Sequence, residues 1–391
     1  MRPRMSPLPR LCLTALASAA GCDAPRSGGE VAVQVAPVVY GTDERQDPFE
    51  ATDPALAQRL RESAVALVEP RYLDLSDPDN VVPTTVTLGE YRALCEGERF
   101  ADQPAMASCS GTLIDDDLVL TAAHCVDAEV CATWYFVFGY HMAAPGGLNR
   151  MTADDVRTCA EILVDAYTEE AFEPTWHDYA IVRLDRPVSA ARAPAPVAMD
   201  PEAIQVGDSI AAIGFGNGIP AKIHPGRVLR STVPWGYFIG TTDTFAGNSG
   251  SGTYDADHAL IGVFVRGQQA DYIMQAAGCR VVNTRDEADG TQEYDYAAKA
   301  VLDLCGRGYP SERLCGGLDP EPAPDPEPDP EPTPEAAPDL PPASEGALGT
   351  EPGSEPLEAS GDASGCLAGG ASAAPWALLL GALAGRGRRR R

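Results

Sequence analysis

A histidine, an aspartate and a serine follow one another inside three short, chemically marked segments: TAAHC ending at Cys125, HDYAIVRL starting at His177 and GNSGS starting at Gly247. A serine hydroxyl becomes a strong nucleophile when an imidazole takes its proton and a buried carboxylate holds the ring in the right tautomer, and the chain order of the three separates unrelated folds. Here His124 precedes Asp178, which precedes Ser249. The opposite arrangement places the serine first, in a G-x-S-x-G elbow. It is excluded because Ser251 stands where the second glycine is needed.

The flanking residues fit these roles. Leu118 to Thr121 reads as an apolar strand running into a turn that presents His124, and Asp178 leads into the alternating run Ala180 to Leu184. Gly247, two positions before Ser249, lets the backbone turn its N–H groups toward a substrate oxygen, so Gly247 and Ser249 are the candidate oxyanion hole. The remaining histidines sit in less suitable places: His177 adjoins Asp178, His141 precedes a Pro-Gly-Gly loop, and His224 and His258 lie in turns. Asp165, in ILVDAY, is the rival acid.

Taken together, CSGTLIDDDLVLTAAHCV from Cys109, HDYAIVRLDRPV and GNSGS resemble the chymotrypsin/trypsin-like serine peptidases, over roughly Val38 to Arg307. The stretch AAIGFGNG from Ala211 to Gly218 resembles the strand and turn that open that family's second barrel. The resemblance implies an all-β fold of two six-stranded antiparallel barrels with a C-terminal helix, and a triad of His124, Asp178 and Ser249 at their interface. It also implies a Cys109–Cys125 disulfide, protein or peptide substrates, and no cofactor or metal. Asn248 stands where trypsin-like zymogens carry an Asp for a newly freed ammonium, and GNSGS with VVYGTDERQDPFE is similar to the bacterial glutamyl-endopeptidase-like branch. Phe264 occupies the place where acid-specific members of that branch carry a histidine. The implied substrate pocket holds Asp243, Arg266 and Gly267. Asp243 would pair with a substrate Lys or Arg or else stabilise a turn, and Arg266 would neutralise it or favour acidic substrates. Two other functional classes remain at this point: a catalytically inactive homologue acting as a surface binding module, and a serine esterase.

Composition divides the chain further. Arg2, Arg4 and Arg10 followed by Leu11 to Ala17 and small residues read as an export signal over residues 1–22, with Cys22 a possible lipid-modified position. Residues 23–45 read as a propeptide or N-terminal segment and 46–316 as the peptidase domain. Of the eleven cysteines, eight fall inside the catalytic region, an even number suited to an oxidising compartment. Beyond Cys109 and Cys125, the other six leave fifteen pairings open. With no C-x-x-C pair and five histidines, a zinc site is disfavoured. Residues 317–365 are an acidic, proline-rich linker that cannot form a core. That spacer holds a sizeable part of the formal charge of −28, so the acidity says more about a solvated spacer than about a cationic partner, and nucleic acid is not expected as a partner. Residues 366–391 carry Cys366, the apolar run Leu367 to Gly385 and an arginine cluster, a membrane-anchor pattern that resembles myxobacterial-type C-terminal sorting tags. An exported, surface- or outer-membrane-associated protein is expected.

Short apolar runs at Val86 to Leu88, Trp134 to Gly139, Ile210 to Ile213 and Leu260 to Val265, separated by Gly, Pro and Asp, predict strands. Helices are expected over Pro54 to Val68 and Tyr294 to Leu304.

Overall fold

The computed structural model describes residues 39–168, 177–200, 204–232, 236–267 and 270–317. The export signal, the acidic linker from residue 318 onward and the C-terminal tail lie outside the described residues.

Six strands close the first barrel: β1 (Ala64–Val68), β2 (Ala107–Asp115), β3 (Leu118–Thr121), β4 (Tyr135–Phe138), β5 (Val156–Tyr167) and β6 (Asp178–Leu184). Their order around it is β5-β6-β3-β2-β1-β4. The second barrel takes β7 (Ser209–Gly214), β8 (Lys222–Ser231), β9 (Tyr237–Gly240), β10 (Gly252–Tyr254), β11 (Leu260–Arg266) and β12 (Gln292–Tyr296), in the order β7-β8-β9-β12-β11-β10. All pairings within both barrels are antiparallel. This is the chymotrypsin-like architecture. Closure leaves no barrel edge to pair with another chain.

Each barrel has its own core. Val65, Leu67, Val119, Phe136, Phe138 and Val182 fill the first, and Ile210, Phe238, Ile261 and Tyr294 the second. A further cluster runs between them, with Ile114 and Leu120 in one mass with Ile213 and Tyr254. That seam fixes the two barrels against each other, and the site lies on it.

Three expected elements are corrected. The helix expected over Pro54 to Val68 ends at Ser63: α1 (Pro54–Ser63) starts on the Asp53 cap and Pro54, and the remaining AVALV is β1. Its five residues are all buried, and periodicity cannot distinguish such a run from a buried helix segment. The strand expected at Val86 to Leu88 is absent, because Thr87 and Glu90 form a capping box that starts α2 (Leu88–Arg92). The terminal helix is α3 (Ala297–Gly306), the first residues of the expected span belonging to β12.

Disulfides join all eight cysteines of the described region. Cys109–Cys125 is present, with Cα atoms 6.1 Å apart, and the pairings left open are Cys95–Cys279, Cys131–Cys159 and Cys305–Cys315. The packed unit also begins before residue 46. Val39 and Tyr40 pair in parallel with Thr284 and Arg285, and Arg45 is fully buried with its guanidinium over the rings of Phe100 and Phe245. Val39, Tyr40 and Arg45 are thus packed into the folded region.

Candidate active site

β3 ends at Thr121, and a single 3-10 turn, Ala123–Cys125, presents His124 with its side chain about one-third exposed. Asp178 opens β6, whose residue Ala180 pairs with Thr121, so the strand register sets the two residues side by side. The Asp178 carboxylate grips the turn twice: Oδ1 accepts the backbone N–H of His124 at 3.0 Å, and Oδ2 lies 2.7 Å from Nδ1. Asp178 is only 4% exposed. A carboxylate so placed makes Nδ1 the protonated nitrogen and leaves Nε2 as the base. The rival Asp165 is exposed on β5.

Ser249 comes from the second barrel and is tied to the first. Its carbonyl accepts the N–H of Ser110 on β2 at 2.8 Å and lies 3.6 Å from Sγ of Cys125, next to His124. The Cys109–Cys125 bridge thus joins β2 and the histidine turn at the point where both meet the serine loop. Ser249 Oγ lies 3.5 Å from the carbonyl oxygen of Val265 on β11.

Gly247 has φ +96°, a conformation that an L side chain rarely adopts. Its carbonyl accepts the Ser110 hydroxyl at 2.8 Å, which fixes the peptide plane. Asn248 N–H is used by Phe245 and Gly250 N–H by Phe264, whereas the N–H groups of Gly247 and Ser249 have no acceptor among the described residues. Two unpaired donors on one turn beside a serine form a site for developing negative charge. Ser110 escaped the sequence reading; its signal is only the residue after Cys109.

Asp243 and Arg266, two of the candidate pocket residues, are engaged with groups of the chain itself. Asp243 is 3% exposed, and its two oxygens accept the backbone N–H groups of Tyr40 and Glu44 at 2.9 and 3.0 Å. Burial pushes its carboxyl up to about 7, against the pull of those two N–H groups. Arg266 pairs with Glu293 at 2.6 Å. A Cβ on Gly267 would fall 1.8 Å from Oε1 of Gln292, so the fully buried Gln292 side chain occupies that face. Asn248 is buried, with Oδ1 accepting from Ser251 Oγ at 3.0 Å.

Among the described residues the one His/Cys cluster close enough for a metal is Cys109, His124 and Cys125, and its two sulfurs are bonded to each other. A disulfide has no thiolate to offer.

Residues 109–263 match the model of the trypsin-like peptidase domain. The match covers about two-fifths of the chain. The match runs from the cysteine before Ser110 through the histidine turn, Asp178 and the serine loop, and ends before Val265, Arg266 and Gly267. Phenoloxidase-activating factor 1 of Holotrichia diomphalia is 29% identical over 150 residues, 34% of this chain and 38% of that protein. The chain therefore spans less than two-fifths of that relative's length. Among solved structures, a Glu endopeptidase in complex with MPD aligns at 16% identity and a TM-score of 0.40, covering 69% of this chain and 99% of that one. Neuropsin, a serine protease expressed in the limbic system of mouse brain, aligns at 16% identity and 0.40, covering 64% and 96%.

Proposed function

We propose that this protein is an exported serine endopeptidase whose peptidase domain works through His124, Asp178 and Ser249. The observation that carries the reading is the Asp178–His124 pair, on a turn that meets, through Cys125, a serine loop holding two unpaired N–H groups. Nε2 of His124 takes the proton as Ser249 Oγ bonds to the carbonyl carbon of the scissile peptide. The oxygen of that carbonyl becomes an oxyanion facing the N–H groups of Gly247 and Ser249. The protonated His124 then passes its proton to the departing amine, leaving an acyl-enzyme on Ser249. Water, deprotonated by the same imidazole, bonds to the acyl carbon, and the imidazolium returns the proton to Oγ as the acyl–Oγ bond breaks.

The substrate's leaving half is proposed to run into a cavity of about 720 Å³ that borders Gly247 and is rimmed by Tyr72, Val86, Tyr91 and Arg92. Specificity at the acyl side is proposed to favour neutral residues, because both oxygens of Asp243 are bonded to the chain's own N–H groups. The four disulfides support an oxidising compartment, in keeping with an export signal over residues 1–22 and a C-terminal surface anchor over 366–391. Among the described residues no helix is long and apolar enough to cross a membrane. The deciding experiment is labelling with a fluorophosphonate, alongside a peptide-library cleavage profile, with Ser249→Ala as control. Labelling and cleavage that both vanish in Ser249→Ala support the reading; a wild-type protein that neither labels nor cleaves removes it.

A further inference from the structure

A buried ion pair stands directly behind the triad aspartate. Asp295, next to last in β12, has a fully buried side chain, and Lys299, in the first turn of α3, is 5% exposed. Lys299 Nζ lies 2.5 Å from Asp295 Oδ1 and also donates to the carbonyl of Gly236 at 3.1 Å. Oδ1 further accepts the N–H of Tyr296 at 3.0 Å. The other oxygen, Oδ2, accepts the backbone N–H of Asp178 at 3.0 Å.

The residue that holds His124 by its carboxylate is thus held at its own backbone by a carboxylate from the other barrel. β3 reaches along β6 only as far as Thr121 opposite Ala180, so toward the second barrel the Asp178 N–H has Asp295 as partner instead of a ladder carbonyl. A neutral acceptor would satisfy one N–H. Burying two charges for it costs desolvation, and replacing such a pair by apolar residues is often neutral or stabilising, so stability alone does not account for it.

We propose that the Asp295–Lys299 pair is a positioning element for catalysis, locking the Asp178 backbone across the barrel seam so that its carboxylate meets His124 in one register. This rests on the peptidase reading above. Lys299 fixes where Oδ1 lies, and the geometry of the carboxylate then fixes Oδ2 against Asp178. Small displacements at this point matter, since misplacing a reacting group by about 1 Å can cost about a hundredfold in rate.

The test uses the full chain carrying Asp295→Ala, Lys299→Met, or Asp295→Asn with Lys299→Met. Steady-state kinetics on a peptide substrate are combined with the downfield proton resonance of the His124 Nδ1–H bond and with circular dichroism. Asp295→Ala is expected to lower kcat by about ten- to a hundredfold with KM changed less than about twofold, and to shift or abolish the downfield proton. The double variant, which keeps an oxygen for the Asp178 N–H without any buried charge, is expected to recover much of the loss. A folded Asp295→Ala protein with kcat within twofold of wild type and an unchanged resonance overturns the proposal. If Asp295→Ala does not fold, the same two readouts on Lys299→Met decide in its place. Absence of fluorophosphonate labelling in the wild type would instead remove the peptidase reading, and the His124 resonance still reports whether Asp295 positions the pair.

Discussion

Asp178, in the first-barrel half of the site, and Asp243, in the pocket half on the second barrel, are built alike. They are 4% and 3% exposed, and each spends both oxygens on nitrogen groups. One of those groups decides the difference. Asp178 faces an imidazole, a group that changes protonation during acyl transfer, whereas Asp243 faces two peptide N–H groups that never do. The first carboxylate can therefore act on chemistry, and the second ties the N-terminal segment to the strand leading into the serine loop. A buried acid at a pocket position is not thereby a substrate ligand.

The sharpest test of the comparison is the size of the kinetic effects. Ser249→Ala is expected to lower kcat by about 10⁵- to 10⁶-fold, and adding His124→Ala should cost little more, since triad members act as a unit. Asp178→Asn leaves the imidazole in the wrong tautomer and should cost about 10⁴-fold. Asp243→Asn should leave the ratio of kcat/KM for Lys and neutral substrates within about threefold, because no substrate charge loses a partner. A tenfold or larger fall in that ratio, measured with a matched peptide pair, breaks the distinction between the two acids.

On the first-barrel side, the bridge that binds β2 to the histidine turn can be removed without touching the triad. Replacing Cys109 and Cys125 together by Ala opens a loop of about seventeen residues and should cost about 3 kcal/mol in the loop-entropy model. Urea unfolding of the variant measures it. A loss below about 1 kcal/mol would mean that Ser110 and the barrel seam already hold the turn.

What the sequence made legible is what it encodes within a few residues. TAAHC carries a strand end and a turn, HDYAIVRL an acid and its strand, and GNSGS the turn with its glycine, so the segments that meet at the candidate site could be read from local pattern, and the fold class from the resemblance those segments carry. The Cys109–Cys125 bridge spans only 16 residues. The second half of the site depends on partners brought in by the fold: Tyr40 and Glu44 reach Asp243 across 203 and 199 residues, Asp295 reaches Asp178 across 117, and Cys95 meets Cys279 across 184. No spacing rule links such positions. The same limit explains AVALV, whose fully buried pattern suits helix or strand until β2 and β4 close on either side of it.

A last test separates the two halves by pH. Asp243 has a carboxyl raised from 3.8 to about 7, so between those values the folded state keeps a proton that the unfolded chain releases. Stability from this group is present at about pH 4 and is lost as pH rises toward 7. The buried rings of His141 and His224 work in the opposite sense. Burial, with nearby cationic groups, lowers them from 6.5 to about 4 and about 3, so below 6.5 the unfolded chain takes up protons that the folded rings refuse. Their contribution is present above pH 6.5 and is lost as pH falls. The wild type sums these with other components, among them a second falling one from Asp295, whose burial raises it from 3.8 to about 6. Asp243→Asn deletes only the Asp243 component. The stability of the variant relative to wild type should therefore climb by at most about 1.4 kcal/mol per pH unit up to about pH 7 and stay level above it. Urea midpoints at intervals from pH 4 to pH 8 measure the difference directly. A difference that stays flat across this range would mean that Asp243 is ionised throughout, with the Tyr40 and Glu44 N–H groups outweighing its burial. The N-terminal segment would then be tied by charge-assisted hydrogen bonds instead of by a neutral acid.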